Sequence, residues 1–155
     1  MKGHQRVMVH LQRVLSVQLG ALDQLLLHAR VCEDWGFAKL ADQGQSAVER
    51  ARGHVDQLMR RMLFLGGTPD LTQRDPVKAG DSARELLRLD LESQYQLAET
   101  LRSAIACCSD EHDFETYRVL GQLLTTTEED HTYWLEQQLG LIQVIGLENY
   151  LAAQL

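Results

Sequence analysis

Proline is the residue that most limits what this chain can become, because of where it is absent. The chain holds 2 prolines in 155 residues, Pro69 and Pro76, and both fall in one short polar stretch. Proline removes a backbone donor and clashes with the preceding turn, so it ends or kinks a helix wherever it enters one. Its confinement leaves the chain on either side free to run as long helices. Abundant Leu, Gln, Glu and Arg, all good helix formers, point the same way.

Apolar periodicity divides those stretches. Leu11, Leu15, Leu22, Leu25 and Ala29 recur at helical spacing, with Gln18 in the one gap; Asp34-Trp35-Gly36 then breaks the helix. Leu40, Ala47, Ala51, His54, Leu58 and Leu65 form a second seam, stopped by Gly66-Gly67, a C-terminal signal. Asp81-Ser82 can cap a third helix with seam Leu87, Leu91, Gln94, Ala98, Leu101 and Ile105. A fourth carries Leu120, Leu124, Glu128, His131, Leu135 and Ile142, and Gly146 ends it. The spacing predicts helices over about 4–33, 37–65, 81–108, 114–145 and 147–154, with 66–80 as a crossover. The expected fold is all-α and one domain over 1–155: an up-down four-helix bundle of ferritin-like topology, with one long crossover and a short fifth helix.

Composition narrows the function classes. A net charge of −7 disfavours nucleic-acid binding, which needs a basic footprint. No run approaches the roughly 18 consecutive apolar residues of a membrane span. The start, Met1 to Arg6, has no apolar core of a signal peptide. A soluble, cytoplasmic protein is expected. Cys32, Cys107 and Cys108 form no C-x-x-C pair and read as reduced, buried thiols. There is no Gly-rich phosphate loop and no Ser-His-Asp arrangement.

The polar exceptions in the seams carry the chemistry. Gln18, His54, Gln94, Glu128 and His131 each take a mid-helix seam position otherwise held by Leu, Ile or Ala. A buried polar group is costly unless neighbours satisfy it, so polar residues at mid-depth in all four helices imply a shared belt. Glu128-x-x-His131 is the sharpest element. On one face of an α-helix the two can grip one metal ion, half of the carboxylate di-metal signature of such bundles.

Several segments resemble bacterioferritin over essentially the whole length. They are Met1-Lys2-Gly3, Leu27-His28-Ala29-Arg30, Asp34-Trp35-Gly36, Leu63-Phe64-Leu65, Asp90-Leu91, Glu128-Glu129-x-His131-x-x-Trp134-Leu135 and Ile145-Gly146-Leu147-Glu148-Asn149-Tyr150-Leu151. The resemblance implies a hollow shell of twenty-four subunits that stores iron, oxidation of ferrous iron inside each bundle, and haem between subunit pairs held by one methionine from each.

Residue by residue, the resemblance also implies losses. The first-helix ligand glutamate is Gln18, the second-helix Glu-x-x-His is Ala51-Arg52-Gly53-His54, and the third-helix bridging glutamate is Gln94. The fourth helix keeps Glu128 and His131, after what reads as a single-residue insertion upstream. A tyrosine usual beside the metals is Leu25, and the haem methionine falls at Arg52. Of four carboxylates one remains, so a di-iron centre should be weak or absent, because neutral amides serve hard iron poorly.

Three readings of the remainder stay open: a relic in which Gln18 and Gln94 hydrogen-bond to Glu128 and the histidines; a mononuclear iron or zinc site of His54, Glu128 and His131; and a working two-metal centre. Arg52 cannot replace the methionine, since a guanidinium offers no free lone pair, and it reads as an interface or surface residue paired with Glu49. His28 reads as a satisfied packing residue, and the Asp110–Asp113 loop around His112 as a solvated turn. The leading function is a structural or auxiliary storage subunit that self-associates and co-assembles with a catalytically competent subunit. The alternatives are a residual ferroxidase or one-metal enzyme, and a helical interaction protein that stores nothing.

Overall fold

A computed structural model describes residues 1–155. Six α-helices account for most of the chain: α1 (Gln5–Asp34), α2 (Ala38–Phe64), α3 (Ala83–Asp110), α4 (Phe114–Thr126), α5 (Tyr133–Ile145) and α6 (Leu147–Ala152). The expected four-helix bundle with a short fifth helix is present, with one departure. The fourth long helix is α4 and α5 joined by a π turn over Thr127–Thr132.

Helix ends follow local chemistry. The Ser82 hydroxyl accepts from the Glu85 backbone N–H at 3.3 Å at the start of α3, and Asp113 accepts from the Thr116 N–H at 3.1 Å at the start of α4. Gly36, Gly66 and Gly146 leave α1, α2 and α5 with φ of 86°, 83° and 85°, a left-handed conformation that costs glycine little.

α1 packs against both α2 and α3, and α3 against α4, the π turn and α5. The larger core lies at the α1 N-terminal end, around Leu11, Leu15, Leu58, Leu101 and Leu120. A second cluster, with Leu40, Leu86, Leu135 and Tyr150, fills the opposite end. Tyr150 of α6 is fully buried there, and its hydroxyl lies 2.7 Å from Gln138 Oε1. The Lys39 N–H donates to the Gln154 carbonyl at 3.0 Å, which ties the chain's end to the start of α2.

The crossover runs along α1 and is fastened to it repeatedly. Gln12 exchanges two hydrogen bonds with the Asp70 backbone at 2.9 Å, Arg13 pairs with Asp75 at 2.7 Å, and Arg74 with Asp23 at 2.9 Å. A Cβ at Gly20 would stand 2.7 Å from the Asp75 carbonyl oxygen, so only glycine lets the crossover approach this closely. Cys32, Cys107 and Cys108 are buried, unpaired thiols, as expected. No helix is long and apolar enough to cross a membrane.

Candidate metal centre

At mid-depth, between the two apolar clusters, α1, α2, α3 and the π turn enclose a cavity of about 10 Å³. Gln18, Ala51, His54, Gln94 and His131 all line it, together with Leu25, Ala47, Leu97, Arg50 and Thr127. Ala51 and His54 share a face of α2 through i, i+3 spacing. The structure thus gathers five of the six residues expected at the belt, and it also brings in two that sequence reasoning missed.

The sixth is Glu128, and its placement corrects the expectation that it points into the core. Its side chain is 42% exposed and pairs with Arg102 Nη2 at 2.8 Å on the surface between α3 and the π turn. Thr127, 2% exposed, takes the inward position instead. No group of three His, Cys, Asp or Glu side chains assembles anywhere that could hold a metal ion. The set His54, Glu128 and His131 is therefore not brought together, and neither amide is placed to serve Glu128 as a relic partner.

The site's own bonding explains what the remaining residues do. His54 Nδ1 lies 3.2 Å from Gln18 Oε1. An amide oxygen only accepts, so Nδ1 carries the proton and Nε2 keeps its lone pair. Burial pushes the His54 pKa down to about 4, with the Arg50 guanidinium adding to it and Asp130 opposing. Burial first and Arg50 second push His131 down to about 4 as well. Both imidazoles are neutral at physiological pH. The His131 ring stacks on Trp134 at 5.9 Å with an interplanar angle of 10°, which fixes its orientation.

The donor set does not fit a di-iron centre. It comprises two neutral imidazoles, two amides and one hydroxyl, with no carboxylate to neutralise or bridge two hard cations. The nearest formal charge among the lining residues is positive, on Arg50, whose only acid is Asp130 at a long 3.9 Å. Thr127 Oγ1 and His131 Nε2 are the buried side-chain polar atoms without a hydrogen-bond partner, and both belong to this cavity.

Arg52 lies on the exposed side of α2, and its Nη1 stands 3.2 Å from Glu49 Oε1, the pairing expected of it. His28 is buried, with Nδ1 2.7 Å from Asp90 Oδ1 and Nε2 accepting from the Gly80 N–H at 3.2 Å, which is a satisfied packing residue. Around His112, Glu111 pairs with Arg6 at 2.6 Å and Asp113 caps α4, so the acidic loop is engaged within the fold. For Thr127 two sequence signals could have served: the apparent insertion upstream of Glu128 and its place after Thr125 and Thr126 in a hydroxyl run. Nothing in the sequence singled out Arg50.

A family model for the ferritin-like domain matches residues 8–145. The chain is 42% identical over its full length to a bacterial ferritin of Synechocystis sp., covering 99% of that protein. It is 43% identical to a bacterial ferritin of Pseudomonas aeruginosa, over all of both chains. A bacterioferritin of Rhodobacter capsulatus is 33% identical over 97% of this chain and 92% of its own.

Proposed function

The chain belongs to the ferritin family, on its bacterioferritin side, and on that premise we propose that it is an iron-storage shell subunit that has given up oxidation chemistry of its own. The observation that carries this reading is the belt. Residues from all four long helices converge where a di-metal centre would lie, yet Gln18, Ala51, Gln94 and Thr127 supply no carboxylate. Iron entering the belt would meet neutral donors beside the Arg50 cation, which is the wrong field for Fe2+ and worse for Fe3+. The subunit then contributes wall and cavity surface to a shell of twenty-four, with the fast oxidation performed by another subunit type.

A mononuclear site of His54, Glu128 and His131 would first require Glu128 to leave Arg102 and turn inward. Haem held at position 52 would require a lone pair that Arg52 lacks. Both count against resident metal or haem chemistry in this chain.

Stopped-flow oxidation of Fe2+ by the purified protein tests the reading. The expected trace is slow, with no fast phase saturating at two irons per chain. A rapid burst of that stoichiometry would overturn it. Restoring carboxylates together at positions 18, 51 and 94 is expected to recover more than any single change, because ligands of one site act as a unit.

A further inference from the structure

The π turn decides which side chain the fourth long helix presents to the belt. On a regular α-helix, residues three apart share a face, which is why Glu128 and His131 were expected together. With backbone bonds reaching to i+5, each residue turns through a smaller angle. Of the two α-helical neighbours on His131's face, three and four residues back, the smaller turn carries Glu128 off that face and leaves Thr127 on it.

We propose that Thr127 is the specificity-determining residue of the pocket: it holds the fourth-helix ligand position in place of Glu128. As built, the pocket then rejects divalent cations, and it would accept a single borderline ion of the Zn2+ or Co2+ class once a carboxylate stands at 127. The inference rests on the reading that the belt is a former metal centre.

Several observations converge on this register. The Thr132 hydroxyl donates to the Thr127 carbonyl at 2.7 Å, a bond across five residues that pins the wide turn from inside the core. Thr125 and Thr126 bond back to the carbonyls of Gly121 and Gln122 at 3.0 and 3.1 Å. Thr127 alone of the run directs its hydroxyl into the cavity, where it and His131 Nε2 are left without partners. On the outer side, Arg102 holds Glu128 at 2.8 Å. Two neutral histidines alone bind a divalent ion weakly, and Arg50 opposes its charge. A carboxylate beside them completes a two-histidine, one-carboxylate set with positions left open.

Cobalt is the probe, because histidine-bound Co2+ gives visible d–d bands, and the assembled protein is titrated with it. The unmodified protein and E128Q are expected to show no band from the bundle interior. T127E is expected to gain one Co2+ per chain, about 100-fold tighter or more, since even an outer-shell partner is worth 10–100-fold in metal affinity. Co2+ should also raise its melting temperature, and the T127E/H131A double variant should lose both effects. T127D gives the same reading if the longer side chain impairs folding. The proposal is overturned if the unmodified protein binds one Co2+ per chain and E128Q abolishes it, or if neither carboxylate at 127 gains binding. Either outcome leaves slow iron oxidation standing, whereas a two-iron burst would sink the proposed function and with it the claim that the unmodified pocket rejects divalent cations.

Discussion

His28 and Asp90 stand 2.7 Å apart, both buried between α1 and α3, and together they fasten the end of the crossover. His28 Nε2 accepts from the Gly80 N–H at 3.2 Å, so the ring's one proton lies on Nδ1 and is given to Asp90 Oδ1. Gln24 donates to the same carboxylate at 3.0 Å while its own oxygen accepts from the Lys78 N–H at 3.1 Å. This network consists of a carboxylate with two donors, each of which also grips the loop.

Removing the carboxylate should therefore cost more than one hydrogen bond. Asp90→Ala leaves the His28 N–H and the Gln24 amide buried and unsatisfied, and the expected destabilisation is about 2–4 kcal/mol. Chemical denaturation of the purified variant measures it. A loss below about 0.5 kcal/mol, the range of an ordinary surface change, would show that the network does not hold the crossover.

Acid should weaken the folded state through the belt. The His54 and His131 pKa values are pushed down to about 4 in the folded protein, whereas an unfolded histidine titrates near 6.5. Between those values the unfolded chain binds more protons, so stability rises with pH through this window and is lost as pH falls through it. The melting temperature should decline from about pH 6.5 toward pH 4. In H54Q/H131Q that decline should be shallower; an unchanged slope would show that the two rings are not its source.

The substitution at position 52 makes a spectroscopic prediction. A shell of this chain alone should lack the absorption of haem held by two methionines, because Arg52 cannot ligate iron and is occupied with Glu49 at 3.2 Å. Arg52→Met is expected to restore that absorption where the surrounding pocket survives. Bis-methionine haem in the unmodified homo-oligomer would refute the prediction.

Assembly should favour mixed company. Arg52 is exposed on α2, and in a bacterioferritin-type two-fold contact it would face its own copy. Where the Glu49 carboxylates do not intervene, like charges about 4 Å apart cost on the order of 1–4 kcal/mol, depending on how wet the contact is. Co-expression with a competent bacterioferritin-type subunit is expected to give mixed shells by native mass spectrometry. Consistent sorting into separate particles would favour a homo-oligomer that stores iron by slow oxidation on the mineral surface.

The helices were legible in the sequence because their causes are local. Two confined prolines, a leucine seam at helical spacing, Ser82 as a cap, and Gly36, Gly66 and Gly146 as stops each act within a turn or two of the chain. The belt positions Gln18, Ala51, His54, Gln94 and His131 were legible for a related reason: they sit in register with seams whose inward face is set by burial. The pairing of Arg52 with Glu49 needed only i, i+3 spacing.

Glu128 and Thr127 were decided elsewhere. Their order along the chain specifies an acid and a hydroxyl next to each other, and an ordinary α-helix would have sent the acid inward. Which one faces the core depends on where the wide π turn falls along the fourth long helix. Contacts distant in sequence settle the matter: Arg102 of α3 holds Glu128 outside at 2.8 Å, and the packed interior accepts Thr132 and its bond to the Thr127 carbonyl. The sequence alone determined the bundle and the absence of carboxylates at Gln18, Ala51 and Gln94. Tertiary packing decided that Glu128 faces Arg102 outside and Thr127 faces the cavity, because a helix register is chosen by the surfaces it must fit.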